Sequence, residues 1–391
     1  MIITKLKLEN WKNFQNIEVD LTQRVFIVGA NASGKSNLLD VIRFIRDIVK
    51  QAGGLQYAVE ARGGVSKIRC LAARNQSHIR IEVHLAENID QSEPDWKYIL
   101  KFKNFGGGIV KNQAKIIEEQ VWSKKENKLV LNRNAEKEEK DAETLGFTHL
   151  EQITSNSGFR EIYNFFRETQ YLNIIPQLVR DADSYMLSAN KEDFYGRNLL
   201  DRINKTTPRT RESYIKKIND VLQIAVPQLK ELQFVKDDKG TPHFEAVYIH
   251  WRAQGSKQQE AQFSDGTLRL IGFMWALLDG QETILLEEPE LYLHTAIVKQ
   301  LPEFISKLQK RKNKIRQVII TTHSYDLLSN EGIGADEVVV LQTDKEGTSV
   351  KRADKIDDVK KYLDSGFSMA DAVIPKVAPK NIENILQLKY D

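Results

Sequence analysis

A single cysteine, Cys70, stands in 391 residues. That excludes an intramolecular disulfide and a zinc site built from several cysteines, and it fits a reducing compartment. An excess of one charge is also missing. Lys and Arg number 57 against 54 Asp and Glu, a net charge of +3, so the total does not argue for nucleic acid and any basic footprint must be local. No apolar run approaches the roughly 20 residues of a membrane span. The opening stretch 1–8 is too short and too charged for a signal peptide. Internal repeats and low-complexity tracts are absent as well. The expectation is a soluble, cytoplasmic globular chain with no membrane partner.

What is present begins at Gly29-Ala30-Asn31-Ala32-Ser33-Gly34-Lys35-Ser36, a G-x-x-x-x-G-K-S phosphate loop. Residues 24–28 before it read as a buried strand. Residues 37–45 after it read as a helix with Leu38, Ile42 and Ile45 on one face. In this context Gly29, Asn31, Ala32, Ser33, Gly34 and Asn37 frame the bound nucleotide. The glycines let backbone N–H groups curl around phosphate oxygens. Lys35 reaches the β- and γ-phosphates, and the Ser36 hydroxyl is a ligand for Mg²⁺. The chain is expected to bind a nucleoside triphosphate.

Three further stretches follow in order. Phe263-Ser264-Asp265-Gly266-Thr267-Leu268-Arg269 precedes a helix. A Ser and a Gly N–H at a helix start make an anion site, and Ser-Asp-Gly is equally a good N-cap and turn. Ile284-Leu285-Leu286-Glu287-Glu288-Pro289-Glu290 is an apolar strand ending in acids, a Walker B pattern. Ligands sit at the C-terminal strand ends of α/β sheets. Glu287 is the expected Mg²⁺ partner, with Glu where Asp is commoner. Glu288 is the expected base for the attacking water. Ile319-Ile320-Thr321-Thr322-His323-Ser324 is an apolar strand ending in a histidine placed to sense the γ-phosphate.

In this order the motifs resemble an ABC-type ATPase, in particular the RecF/SMC-like branch and the predicted AAA ATPase group related to the ATPase half of OLD-family proteins. The resemblance rests on 8–14, the loop ending Gly34-Lys35-Ser36-Asn37, 263–269, 287–294 and Thr321-Thr322-His323-Ser324, and it covers 1–345. It implies an α/β P-loop NTPase fold. The head would have two lobes, with an antiparallel sheet in the first, a parallel core sheet and a helical insertion. Implied bounds are 1–150 for the first lobe, 151–262 for the insert, 263–345 for the signature, Walker B and His motifs, and 346–391 for a helical tail. The family arrangement implies a homodimer of facing heads. ATP would lie between Lys35 of one chain and Ser264 and Gly266 of the other. Gln177, at an expected strand end, is the candidate Q-loop residue. Lys12 and Arg62 are further candidates near the phosphates, or solvated charges. His294 falls in the expected D-loop, followed by Thr295 where Pro is usual. No sustained heptad stands between the phosphate loop and the signature, which disfavours a long coiled-coil arm. Residues 324–391 are too few for a Toprim nuclease domain.

The rest of the chain reads as a β-rich opening, with strands at 2–8, 16–21, 78–85, 98–102, 114–122 and 128–131. Helices are expected at 159–166, 198–219 with a break near Pro208, 268–278, 296–308, 356–364 and 369–374, the last ended by Pro375 and Pro379. Strands are expected at 169–175, 233–235, 243–251, 283–286, 317–321 and 337–342. Two basic stretches stand out. One holds Arg202, Lys205, Arg209, Arg211, Lys216 and Lys217; the other holds Lys307, Lys310, Arg311, Lys312, Lys314 and Arg316. Each is a set of phosphate contacts for nucleic acid or a solvated face. The leading functional expectation is an ATP-dependent dimeric switch that controls a separate effector protein, as in prokaryotic defence against phage or plasmids. The alternatives are a RecF-like DNA-binding repair ATPase, a transporter's ATPase subunit and a nucleotide sensor that does not hydrolyse.

Overall fold

A computed structural model describes residues 1–74, 76–107, 110–137, 141, 143–180, 194–251, 255–280, 282–309, 316–379 and 382–387. The chain opens with a hairpin, β1 (Ile2–Trp11) and β2 (Phe14–Asp20), followed by β3 (Arg24–Gly29). Then come β4 (His78–Ala86), β5 (Trp96–Gly107), β6 (Val110–Ser123) and β7 (Lys128–Asn134). With the hairpin they make an antiparallel sheet of order β2-β1-β4-β5-β6-β7. Its strands alternate because only one face is buried. Leu6 and Leu8 of β1 point into the core while Lys5 and Lys7 pair with Glu18 on the open face.

The second sheet has order β15-β14-β3-β13-β12-β8, with β8 at Gln170–Leu172, β12 at Ile284–Glu287, β13 at Val318–Thr322, β14 at Val338–Asp344 and β15 at Gly347–Arg352. All its pairings are parallel except β14 with β15. Both faces of this sheet are covered, which explains its unbroken apolar strands. Val25 and Ile27 of β3 join a core under helix α1 (Lys35–Val49) and the antiparallel sheet. Phe26 and Val28 join a second core under the helices Asp265–Leu278 and Met369–Val377. Phe44 of α1 fixes the first core, with its ring 5.6 Å from Phe102 and 5.2 Å from Trp11.

The stretch 151–262 holds helices Arg160–Glu168, Leu199–Lys205 and Pro208–Ala225, the last two parted at Thr206-Thr207 as expected from Pro208. It also carries β8 and a small antiparallel sheet of β9 (Leu229–Lys236), β10 (Pro242–Tyr248) and β11 (Ser256–Gln259), order β11-β10-β9.

Four expectations need correction. The strand expected at 169–175 ends at Leu172, because the N–H groups of Asn173 and Ile175 bond the carbonyls of Phe194 and Tyr195 instead. The helix expected at 296–308 is two, Thr295–Val298 and Leu301–Gln309. Pro302 lacks the N–H that would carry one helix through, yet Leu301 and Ile305 still face the core. The helical tail expected from 346 begins with strand β15. Pro375 does not end its helix, which runs to Val377. The ring removes one bond in the last turns, while Val373 and Val377 on either side stay buried. Among the described residues no helix is long and apolar enough to cross a membrane.

Candidate functional site

The site forms where β3, β12 and β13 end side by side. Strand β3 is buried along its whole length and stops at Gly29. The loop then turns through Ala32 (φ 62°) and Gly34 (φ 101°), left-handed positions that glycine adopts without strain. Helix α1 starts on Gly34 with no side-chain cap. Among the described residues no side-chain hydrogen bond reaches its first N–H groups, and they add partial positive charge. Asn31, Ala32 and Ser36 are exposed, whereas Ser33, Gly34 and Lys35 are buried.

Lys35 is 7% exposed, and its Nζ donates to the carbonyls of Gly29 (2.9 Å) and Ala30 (3.3 Å). It also lies 3.6 Å from Glu288 Oε1. The same oxygen is 2.9 Å from His323 Nδ1. A carboxylate only accepts, so Nδ1 carries the hydrogen and Nε2 is left for another group. Glu288 sits one residue past β12 with φ 40°, held by its N–H on the Thr321 carbonyl at 3.0 Å. The strained turn points the two adjacent acids to different places.

Glu287 faces β8. Its Oε2 accepts from Asn173 Nδ2 at 3.3 Å, and the Tyr171 phenol lies close to the same carboxyl. Burial, followed by the Glu287 charge, pushes the Tyr171 phenol far above its ordinary value. The parallel register sets Leu172 beside Leu286, which brings Asn173 level with Glu287. Three residues on, Glu290 is buried against Thr322, and that burial raises its carboxyl. Ser36 and Glu287 offer a hydroxyl and a carboxylate, hard oxygen donors of the kind Mg²⁺ takes alongside phosphate and water.

Not every expected residue joins this cluster. Ser264 caps the helix Asp265–Leu278, accepting from Thr267 N at 3.2 Å and pairing with Thr267 Oγ1 at 2.8 Å. Gln177 lies on a short helix, Pro176–Arg180, and donates to Asp265 at 2.9 Å; Arg180 pairs with the same acid. A Cβ on Gly266 would lie 2.6 Å from the Tyr292 carbonyl. Among the described residues no hydrogen bond or ion pair joins Ser264, Gly266 or Gln177 to Lys35, Glu288 or His323. His294 is also apart, capping the helix Thr295–Val298. Lys12 and Arg62 both pair with Asp40, at 2.6 and 2.7 Å, and Arg62 also pairs with Asp47 at 2.9 Å. They line an open cleft of about 820 Å³ that reaches Asn13 and Asn37.

The basic stretches divide. Arg316 is a core residue, 7% exposed, spanning Glu282 O and Ala276 O (both 2.6 Å) and Gln170 Oε1 (3.1 Å). Burial lowers its pKa to about 10. Arg202 pairs with Asp279, and Arg211 bonds two backbone carbonyls. Lys205, Arg209, Lys216 and Lys307 are exposed. Lys310, Arg311, Lys312 and Lys314 lie outside the described residues.

Two contributors carried no assigned role in the sequence. Asn173 follows a three-residue strand, and only the register shows that it meets Glu287. Arg269, 3% exposed, donates to the carbonyls of Ile174, Glu287 and Glu288. It ends the motif that begins at Ser264, and so ties that helix to the Walker B backbone.

The protein family described as "AAA domain, putative AbiEii toxin, Type IV TA system" matches residues 24–329. No curated protein matches the sequence. Among solved structures, the Smc head bound to the C-winged helix domain of ScpA is similar at a TM-score of 0.54 and 16% identity, over 90% of this chain and 98% of that one. The Smc head with an extended coiled coil bound to the C-terminal domain of ScpA, from Pyrococcus furiosus, gives 0.49 and 13% over 93% and 98%. The SMC head domain of Thermotoga maritima gives 0.44 and 14% over 90% and 99%. The first likeness establishes the fold, a P-loop NTPase head of the SMC and ABC type.

Proposed function

This chain belongs to the AAA-domain family that its residues 24–329 match, and we propose that it is an ATP-hydrolysing switch whose two heads close on ATP to control a separate effector. The supporting observation is the contact chain from Lys35 through Glu288 to His323, with Ser264 and Gly266 engaged elsewhere. Lys35 binds the terminal phosphates. Glu288 accepts a proton from the attacking water, and His323 orients Glu288 through Nδ1 while Nε2 faces the γ-phosphate. Ser36 and Glu287 hold Mg²⁺, which offsets phosphate charge when bound. Asn31, Ala32, Ser33, Gly34 and Asn37 line the phosphates.

The signature pair Ser264 and Gly266 serves the γ-phosphate of a second copy. Gln177, bonded to Asp265, belongs with that half rather than with Lys35. The head extends past 345, because β15 at Gly347–Arg352 completes its core sheet. A partner-binding Smc head among the structural neighbours supports a separately encoded effector. The family's description names a putative toxin of a type IV TA system, which favours a role in defence; a cytoplasmic place and a RecF/OLD-like grouping belong to the same proposal. Arg316, Arg202 and Arg211 are held by the chain's own groups, which weighs against DNA binding as the primary activity.

The test is the mass of the full chain by light scattering with and without ATP and Mg²⁺, using Glu288→Gln. We expect this variant to bind ATP, fail to release it and double in mass. A chain that stays monomeric with ATP under all conditions would falsify the switch.

A further inference from the structure

The phosphate loop rests on a segment more than 300 residues away in the chain. The Ser33 carbonyl accepts two hydrogen bonds, 2.9 Å from Asn13 Nδ2 and 3.0 Å from Thr348 Oγ1. Asn13 Nδ2 also donates to Thr348 Oγ1 at 2.7 Å, and Asn13 Oδ1 accepts from Asn37 Nδ2 at 2.8 Å. The Thr348 N–H donates to the Asn13 carbonyl at 2.9 Å. Asn13 lies in the β1–β2 turn, Asn37 in the first turns of α1, and Thr348 in β15. The approach needs a glycine at 347. Its φ is +128°, and a Cβ there would sit 2.7 Å from the Asn13 carbonyl oxygen. Thr348 is 6% exposed, so water competes little for these bonds.

A planar trans peptide points its C=O and N–H in opposite directions. Tying the Ser33 carbonyl to this brace therefore aims the Gly34 N–H away from it, into the loop. A flipped Ser33–Gly34 peptide would put a carbonyl where the phosphate needs a donor. Glycine tolerates either orientation, so the loop's own sequence does not choose between them. We propose that Asn13 and Thr348 are positioning residues that hold the Ser33–Gly34 peptide in its phosphate-binding orientation, and that ATP affinity thereby depends on the β14–β15 hairpin. The proposal rests on the assignment of this loop as the ATP site.

Thr348→Val removes the hydroxyl at nearly constant shape, and Thr348→Ser keeps it. Both are made in the full chain. Hydrogen exchange of residues 29–36 is followed without nucleotide, and MgATP binding by calorimetry. We expect Thr348→Val to melt close to the wild type, exchange faster at the loop and lose about tenfold in ATP affinity, with Thr348→Ser restoring both. Asn13→Asp keeps the acceptor for Asn37 and removes both donations, and should weaken ATP further. Wild-type exchange and affinity in Thr348→Val, or no recovery in Thr348→Ser, overturns the proposal. A wild-type chain that bound no ATP would overturn the site assignment and the affinity claim together, while exchange would still decide whether the brace holds the loop.

Discussion

The helix starts at Gly34 and at Ser264-Asp265-Gly266 are finished in opposite ways. Helix α1 begins on Gly34 with no side-chain cap, and the loop before it is held from behind through the Ser33 carbonyl. The helix Asp265–Leu278 closes on itself. Ser264 accepts from Thr267 N, and Asp265 in the first turn is taken by Gln177 and Arg180. The first end is open to an anion with a cation beside it; the second is already satisfied by its own chain. The difference teaches that a shared sequence cue for anion binding leaves an uncapped helix end in one place and a self-capped end in the other. What links the two is Arg269, one turn into the second helix, on the backbone of Glu287 and Glu288.

That link is where the comparison breaks most severely. Arg269→Met should strand the carbonyls of Ile174, Glu287 and Glu288, at a cost of about 1–3 kcal/mol for each buried group left unpaired. The melting temperature should drop sharply, and a thermal scan that finds it unchanged removes the link. Next in size, Lys35→Ala should weaken ATP by about 10–100-fold, the worth of hydrogen bonds to a charged group. Ser264→Arg should leave ATP binding by the monomer intact and abolish the ATP-driven dimer. Titration calorimetry beside light scattering separates these, and equal loss of ATP affinity in both variants would erase the distinction between the two helix ends. The smallest effect is on stability. Ser264→Ala should cost about 1 kcal/mol through the lost cap, visible as a small shift of the denaturation midpoint. No equivalent loss is available at α1, which has no side-chain cap to remove.

Much of this was legible before any coordinates. The strand–loop–helix around Lys35 and the apolar strands ending at Glu287 and His323 depend on local pattern, and local pattern holds when both faces of a strand are buried. The expected fold of an antiparallel sheet beside a parallel core is the one observed. Local pattern misled where a distant group altered the outcome. Pairing with Phe194 and Tyr195 shortened the strand at 170. Arg316, in a run of cations that reads as a surface, was drawn inward by carbonyls of three other segments. Burial costs a cation least where acceptors converge, and no spacing rule reports such convergence.

The sequence by itself determined the order of the nucleotide motifs and the identity of Lys35, Ser36, Glu287, Glu288 and His323, because these follow from residue type and short-range periodicity, and the resemblance those motifs carry implied an antiparallel sheet beside a parallel core. Only the tertiary structure decided that Asn173 meets Glu287, that Arg269 grips the Walker B backbone, and that Thr348 braces Ser33. Those are meetings between strand ends and side chains far apart in the chain. Their geometry is set by strand register and by the packing of two cores, and neither is written in any one segment.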